Sequence, residues 1–304
     1  MESALADSEG ADAQQQRLRL LLLGAPVMTT LRCGAKTLDL SRPVVMGVVN
    51  VTPDSFSDGG RFLPVDAAVA QGVRLVEEGA AIIDIGGEST RPGAAPVSVE
   101  EELRRVVPAV EGLRKAVPQA IISVDTSKPE VIREAIAAGA GLINDVRALA
   151  GPGALEAVVA SDCAVCLMHM QGDPQTMQRS PGYVDVVKEV KAYLHERVQK
   201  CRAAGVSADR ILIDPGFCFG KTLEHNLELL RRLGELSPEG LPMLVGLSRK
   251  SIVGTLTGRA TGDRVYGSVA LAVIAALNGA LVIRAHDVAA TVDALKIVTA
   301  LQGR

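Results

Sequence analysis

Eight apolar segments of strand length constrain this chain more than any other feature. They lie at 44–50, 81–86, 121–125, 142–145, 164–169, 211–214, 243–246 and 281–284. A loop follows each, and amphipathic helical patterns separate them at 65–78, 99–116, 129–138, 153–161, 184–204, 223–236 and 266–278. Gly79, Gly139 and Gly279 close three of these helical patterns just before the next apolar segment, where a helix C-terminus favours glycine. Strands alternating with helices predict a parallel sheet of the α/β class. Eight such units in series predict a single (β/α)8 TIM barrel, with a doubly wound open sheet as the alternative. No linker divides the run, so residues 31–304 are expected to form one barrel domain. Residues 1–30 are a short N-terminal extension, expected to be partly disordered. Its apolar stretch at 18–23 is isolated and has no predicted place. Residues 31–40, with Gly34 between two short runs, predict a hairpin that caps the bottom of the barrel.

Composition agrees with buried parallel strands. The chain has 304 residues, 48% of them apolar but only 2% aromatic, with no tryptophan. Its core must therefore be built from Val, Ile, Leu and Ala, the residues of strands covered on both faces. A net charge of −3 and few aromatics argue against a nucleic-acid partner. The longest apolar run, 269–277, is too short to cross a membrane. The acidic, Gln-rich start is unlike a secretory signal, and five scattered cysteines do not suggest a disulfide framework. Both point to the cytoplasm.

In a barrel of this kind, functional groups stand at the C-terminal strand ends. There the sequence places Asn50, Asp84 with Glu88, Asp125, Asn144 with Asp145, His169, Asp214, Ser248 to Lys250, and Arg284 with His286. One strand-end Asp is commonly a helix cap; so many polar ends on one rim suggest a site. The stretch Pro242-Met-Leu-Val-Gly-Leu-Ser-Arg-Lys-Ser251 opens from an apolar strand into donors at a helix start, which suits a planar, acceptor-rich ligand or an anion. Two long Gly-rich loops, 50–60 and 86–93, read as lids. The first carries Phe56 to exclude water and the second carries Thr90 and Arg91 as phosphate-type donors. Arg284 and His286 are two apart on an extended segment and are expected to aim together at an anion.

Other signals carry less. Gly216-Phe-Cys-Phe-Gly-Lys-Thr222 has three residues between its glycines where a Walker loop has four. Cys163 and Cys166 fall in one strand and face opposite ways. His195 and His225 sit in helical patterns as surface or packing residues.

Taken together, these motifs resemble the dihydropteroate synthase family from about residue 36 to the end. Asn50-Val-Thr-Pro-Asp-Ser-Phe-Ser-Asp-Gly-Gly60 and Gly86-Gly-Glu-Ser-Thr-Arg-Pro-Gly93 are similar to its two loop signatures. Ser123-Val-Asp-Thr-Ser127, Ile143-Asn-Asp145, Leu167-Met-His-Met170, Asp214-Pro-Gly216, Ser248-Arg-Lys-Ser251 and Arg284-Ala-His-Asp287 continue the pattern in order. Cys218 departs from it, standing where a glycine is expected between two phenylalanines; a slightly stiffer loop with activity retained is the expectation.

The resemblance implies a transferase of folate biosynthesis that joins 4-aminobenzoate to 6-hydroxymethyl-7,8-dihydropterin diphosphate, releasing pyrophosphate. It also implies assistance by Mg2+, competition by sulfonamides and a homodimer. Apart from the resemblance, exposed apolar residues on the last two helical segments are the expected dimer surface. Asp214, Asn144 and Asp125 then bind the pterin edge, Lys250 donates to the ring, and Asp84 supports the site from below. Arg284 and His286 hold the diphosphate, and Asn50 holds the Mg2+. Phe56, Pro92, Lys250 and Ser251 shape the aminobenzoate pocket, while Thr90 and Arg91 anchor the second loop. Loss of pyrophosphate leaves a cationic carbon, so an SN1-like route is expected, with Asp58 foremost in stabilising the cation and Lys250 and Arg284 as the other catalytic groups. A pterin-dependent methyltransferase barrel and a non-catalytic pterin-binding barrel are the alternatives.

Overall fold

The computed structural model describes residues 28–51, 63–89, 93, 95–173 and 175–303. A short antiparallel hairpin comes first, β1 (Thr30–Cys33) and β2 (Lys36–Asp39), turning at Gly34, whose φ is +63°. Eight parallel strands follow: β3 (Val44–Asn50), β4 (Ile82–Gly86), β5 (Ile121–Asp125), β6 (Leu142–Asp145), β7 (Ala164–Met168), β8 (Ile211–Asp214), β9 (Leu244–Val245) and β10 (Val282–Ala285). Their order is β8-β7-β6-β5-β4-β3-β10-β9. The seam between β8 and β9 closes through a parallel bridge from Ile213 to Met243, and the Ile213 amide donates to the Pro242 carbonyl at 3.1 Å. The closed barrel replaces the open-sheet alternative.

Helices Leu63–Glu77, Val99–Ala116, Pro129–Ala138, Ala154–Val159, Val186–Ala203, Leu223–Arg231, Ser251–Thr257, Val265–Leu277 and Val288–Leu301 surround it. Their ends follow local chemistry. Ser98 and Asp185 accept from the amides three residues on, at 3.2 and 3.1 Å. Thr222 and His225 cap each other reciprocally, so His225 has a structural task. Gly139, at φ +113°, ends its helix in the left-handed conformation that lacks a steric penalty only for glycine. The expected helix over 223–236 stops at Arg231 and continues as a tight turn at Leu233–Glu235.

Strand alternation divides the apolar residues into two cores. Outward-facing residues such as Ile83, Val124, Ile143, Val165 and Ile283 pack against the helices. Inward-facing Met46, Ile82, Ile121, Leu142, Leu212 and Leu244 fill the lower barrel, where Leu31, Leu38 and Leu40 of the hairpin plug the end. Cys166 belongs to the inner core and Cys163 to the outer, so the pair faces opposite ways. No helix among the described residues is long and apolar enough to cross a membrane.

Candidate active site

Above the apolar floor, the same inward-facing positions become polar. On β4 the inward residue after Ile82 is Asp84; on β5, Ser123 and Asp125 follow Ile121; on β6, Asn144 follows Leu142; on β10, Arg284 follows Val282. The parallel register places Asp84 beside Ser123 and Asp125 beside Asn144. Asp84 is completely buried and accepts three hydrogen bonds: from Ser123 Oγ at 2.6 Å, Asn144 Nδ2 at 3.2 Å and Arg284 Nε at 2.7 Å. Arg284 also donates through Nη2 to Asp125 at 3.2 Å. One guanidinium thus bridges two carboxylates across the barrel mouth. Burial pushes the Asp125 carboxyl up to about 7, against the pull of Arg284 and with the push of Asp84. Its proton is therefore held loosely near neutral pH, and a ligand bringing N–H donors favours its charged form.

The other side of the mouth is assembled from loops. Asp214 ends β8 and accepts the Gly216 amide at 2.7 Å through Oδ1; burial raises its carboxyl, while Lys250 opposes that rise. Lys250 donates to the Phe217 carbonyl at 2.8 Å, and its Nζ lies 4.7 Å from the Phe219 ring centroid. Burial lowers its ammonium from the ordinary lysine value. The neighbouring Arg249, at φ +58°, turns away and pairs with Asp287 (Nε to Oδ2, 3.0 Å), while its amide donates to Ser268 Oγ at 2.9 Å. That outward turn helps orient Lys250 inward. Ser251 is exposed at the first position of a two-turn helix. His286 lies just past β10, with its amide and Nδ1 each 3.1 Å from Ser248 Oγ.

Asn50 ends β3 opposite Gly86, and a Cβ on Gly86 would come 3.6 Å from the Asn50 Oδ1 atom. The glycine leaves that side of the amide open. A neutral amide oxygen is a fitting single protein ligand for Mg2+, which keeps most of its shell as water or phosphate oxygen. Among the described residues no cluster of three His, Cys, Asp or Glu side chains forms a separate metal site. Phe56, Asp58, Thr90, Arg91 and Pro92 lie outside the described residues, as does the 1–27 part of the N-terminal extension.

Three strand-end residues expected at the rim have other tasks. Asp145 faces outward and accepts the amides of Arg147 and Leu149, both at 2.8 Å, and the Ser127 hydroxyl, so it braces a turn. Glu88 pairs with Lys128, which also donates to buried Glu102 at 2.5 Å. His169 is buried against Lys221 and held as a neutral imidazole. Sequence reasoning assigned no role to Ser123 and set Lys221 aside with the Walker-like segment. In the fold Ser123 is a direct partner of Asp84, and Lys221 sits 3% exposed at the centre of the 215–221 turn. For Ser123 the available signal was its place two residues before Asp125, on the same strand face. For Lys221 no periodic signal existed.

Comparison with known proteins bears on this geometry. Residues 46–286 match the family described as pterin binding enzyme. The dihydropteroate synthase of Escherichia coli (strain K12) is 55% identical over 264 residues, covering 87% of this chain and 93% of that protein. The Yersinia pestis dihydropteroate synthase in complex with a sulfonamide drug superimposes with a TM-score of 0.86 at 53% identity, covering 90% of this chain and all of that one. The Burkholderia cenocepacia enzyme complexed with 7,8-dihydropteroate gives 0.83 at 46% identity, covering 92% and 98%. With its barrel closed and its polar mouth set at the C-terminal strand ends, the chain belongs to the dihydropteroate synthase family of pterin-binding enzymes.

Proposed function

We propose that Asp214 and Lys250, side by side on the turn-built side of the barrel mouth, grip the pterin ring of 6-hydroxymethyl-7,8-dihydropterin diphosphate while its methylene carbon is transferred to 4-aminobenzoate. Their shared anchoring on one turn carries this reading. Asp214 is held by the Gly216 amide and Lys250 by the Phe217 carbonyl, so a carboxylate for the amino and N–H edge stands beside a donor for the ring carbonyl and N5. Asn144 and Asp125 flank the same edge. Asp84 lies one layer deeper and fixes Asn144 and Arg284.

The diphosphate extends toward Arg284 and His286, with Asn50 as the protein ligand of a Mg2+ ion. When bound, that ion supplies charge neutralisation for the phosphate oxygens. The C–O bond to the diphosphate breaks first, and its electron pair leaves with pyrophosphate. Arg284 meets the developing negative charge. The remaining carbon is a cation conjugated with the pterin, and Asp58 of the first loop is the carboxylate assigned to stabilise it. The aniline nitrogen then forms the new C–N bond and releases a proton. Phe56, Pro92, Lys250 and Ser251 shape the aminobenzoate pocket, and Thr90 with Arg91 anchors the second loop. The same pocket is the expected site of sulfonamide competition, as the Yersinia pestis complex suggests.

The protein is proposed to work in the cytoplasm as a homodimer. All five cysteines are free thiols, four of them buried, which suits a reducing compartment. Leu256, Tyr266, Ile274, Ile297 and Leu301 are exposed on the last three helices, an apolar set that suits a partner subunit.

Pyrophosphate release from the pterin diphosphate, with and without Mg2+ and 4-aminobenzoate, tests the reaction. Mg2+-dependent release with dihydropteroate formed on adding aminobenzoate is expected; folded protein that binds pterin and releases nothing overturns it. In parallel, Lys250→Ala is expected to weaken pterin binding about 10–100-fold, the loss of one charged hydrogen bond.

A further inference from the structure

The 215–221 turn has an interior and an exterior, and one side chain occupies the interior. Lys221 Nζ lies 2.9 Å from His169 Nδ1, 2.9 Å from the Gly216 carbonyl and 3.1 Å from the Phe219 carbonyl. An ammonium has three N–H donors, and these are the three nearest acceptors, with the His169 carbonyl a longer fourth at 3.5 Å. Donation to Nδ1 requires the imidazole to present a lone pair there. That fits His169, whose pKa burial and Lys221 hold down at about 3. Among the described residues no carboxylate pairs with Lys221.

Such an arrangement is costly. Burial lowers the Lys221 amine to about 7 against the pull of nearby Asp214, because its charge loses hydration and gains no direct ion pair. An unbranched apolar side chain of similar length would fill the same space without that loss. What it would not do is join the exit of β7 to both ends of the turn.

The turn needs such a tie. Gly216, Cys218 and Gly220 alternate at φ +69°, +68° and +62°. A Cβ on Gly216 would lie 1.8 Å from the His169 carbonyl oxygen, and one on Gly220 would lie 2.4 Å from that of Gln171. The backbone is thus wrapped tightly against the strand exit; Tyr183, Gln178 and Asn226 hold its outer edge at Gly220 and Cys218, and Lys221 is the side chain that ties Gly216 and Phe219 to His169. From the exterior of the same residues come the contacts to the site: the Gly216 amide to Asp214, the Phe217 carbonyl to Lys250 and the Phe219 ring beside Lys250 Nζ.

We propose that Lys221 is a positioning residue for pterin binding. From inside the 215–221 turn it fixes the shape in which Gly216, Phe217 and Phe219 hold Asp214 and Lys250. This rests on the pterin-binding reading given above.

The test uses the full chain and 6-hydroxymethyl-7,8-dihydropterin diphosphate. Lys221→Met is expected to raise KM for this substrate about 10–100-fold. Lys221→Gln, which keeps two donors, is expected to fall between Met and the parent. In a cycle with Lys250→Ala, the combined loss should be smaller than the product of the two single losses, because part of the Lys221 effect runs through Lys250. A role confined to overall stability predicts independent, additive effects. Additivity in the cycle overturns the proposal, as does parental pterin KM in folded Lys221→Met. If Lys221→Met does not fold, the Gln variant carries the same comparison, and its parental KM is equally fatal. Should Lys250→Ala leave pterin affinity unchanged, the pterin-binding reading fails first. A normal Lys250 effect with no Lys221 effect overturns this inference alone.

Discussion

On one side of the barrel mouth, Asp84, Ser123, Asp125, Asn144 and Arg284 project from regular strands and bond to one another. On the other, Asp214 and Lys250 take their partners from a turn: an amide, a carbonyl and an aromatic face. The first side is positioned by register. Once β4, β5 and β6 pair, the side chains meet without further instruction. The second is positioned by backbone shape, and that shape depends on glycines, a buried lysine and a neutral histidine. A register is stiff because a slip turns every side chain to the other face. A turn is adjustable; on the proposed reading this side holds the ring while the other supplies a fixed electrostatic wall.

The largest expected difference between the two sides is in stability. Asp84→Ala removes a fully buried carboxylate from three donors and strips Arg284 of its shorter ion pair. Breaking such a pair by deleting one partner costs about 3–5 kcal/mol. Lys250→Ala, on the turn-built side, removes a rim donor and little core volume and should cost less than about 1 kcal/mol, near the range of substitutions away from the core. Urea denaturation of both variants measures this directly. Equal losses would break the distinction, because the strand-built side would then carry no special structural burden.

Next in size is an opposition in pH dependence. Asp125 has a folded value of about 7 against an ordinary 3.8, so the folded chain keeps a proton that the unfolded chain releases. Its contribution to stability is full below about pH 3.8 and is lost as pH rises to about 7. His169 has a folded value of about 3 against 6.5, so the unfolded chain takes up a proton that the folded chain refuses. Its contribution is present above pH 6.5 and is lost as pH falls toward about 3. Across the shared window Asp125 favours acid and His169 opposes it, while Asp214, raised by burial, acts in the same sense as Asp125. Asp125→Asn should therefore make stability climb more steeply with pH than in the parent, and His169→Gln should make it climb less steeply. Denaturation midpoints at several pH values between about 4 and 6.5 read both slopes. Changes of the same sign would refute the assignment of one or both groups.

The same division explains what the sequence made legible. Strand ends announce themselves, because an apolar run that stops at Asp84, Asp125, Asn144, Asp214 or Arg284 points to a rim in any barrel. Alternation also predicted which neighbours share a face. It did not reveal that Arg284 would bridge Asp84 and Asp125, since β10 and β4, far apart in sequence, come together only as the two neighbours of β3. Nor did it separate functional strand ends from braces. Asp145 and Asn144 are adjacent in sequence, yet one faces the helices and the other the mouth. Lys221 was hidden for a different reason. A lysine after a glycine-rich loop reads as solvent-facing or phosphate-facing, and only the folded turn shows it pointing back into its own loop.

Cys218 provides the finest test of the turn-built side. A glycine is expected there, and an L side chain at φ +68° carries a left-handed strain of about 1–2 kcal/mol. Glycine would remove that strain but would enlarge the conformational freedom of the unfolded chain, at a cost of about 0.5–1 kcal/mol. Cys218→Gly should therefore stabilise the protein by about 1 kcal/mol or less. The Cys218 amide donates to Asn226 Oδ1 at 2.7 Å, and glycine keeps that bond. If Lys221 already dictates the shape of the turn, relief of strain at Cys218 changes stability without changing pterin KM. A lower pterin KM in Cys218→Gly would mean that the turn is still free to adjust when the ring arrives, and that its shape is shared between lysine and substrate.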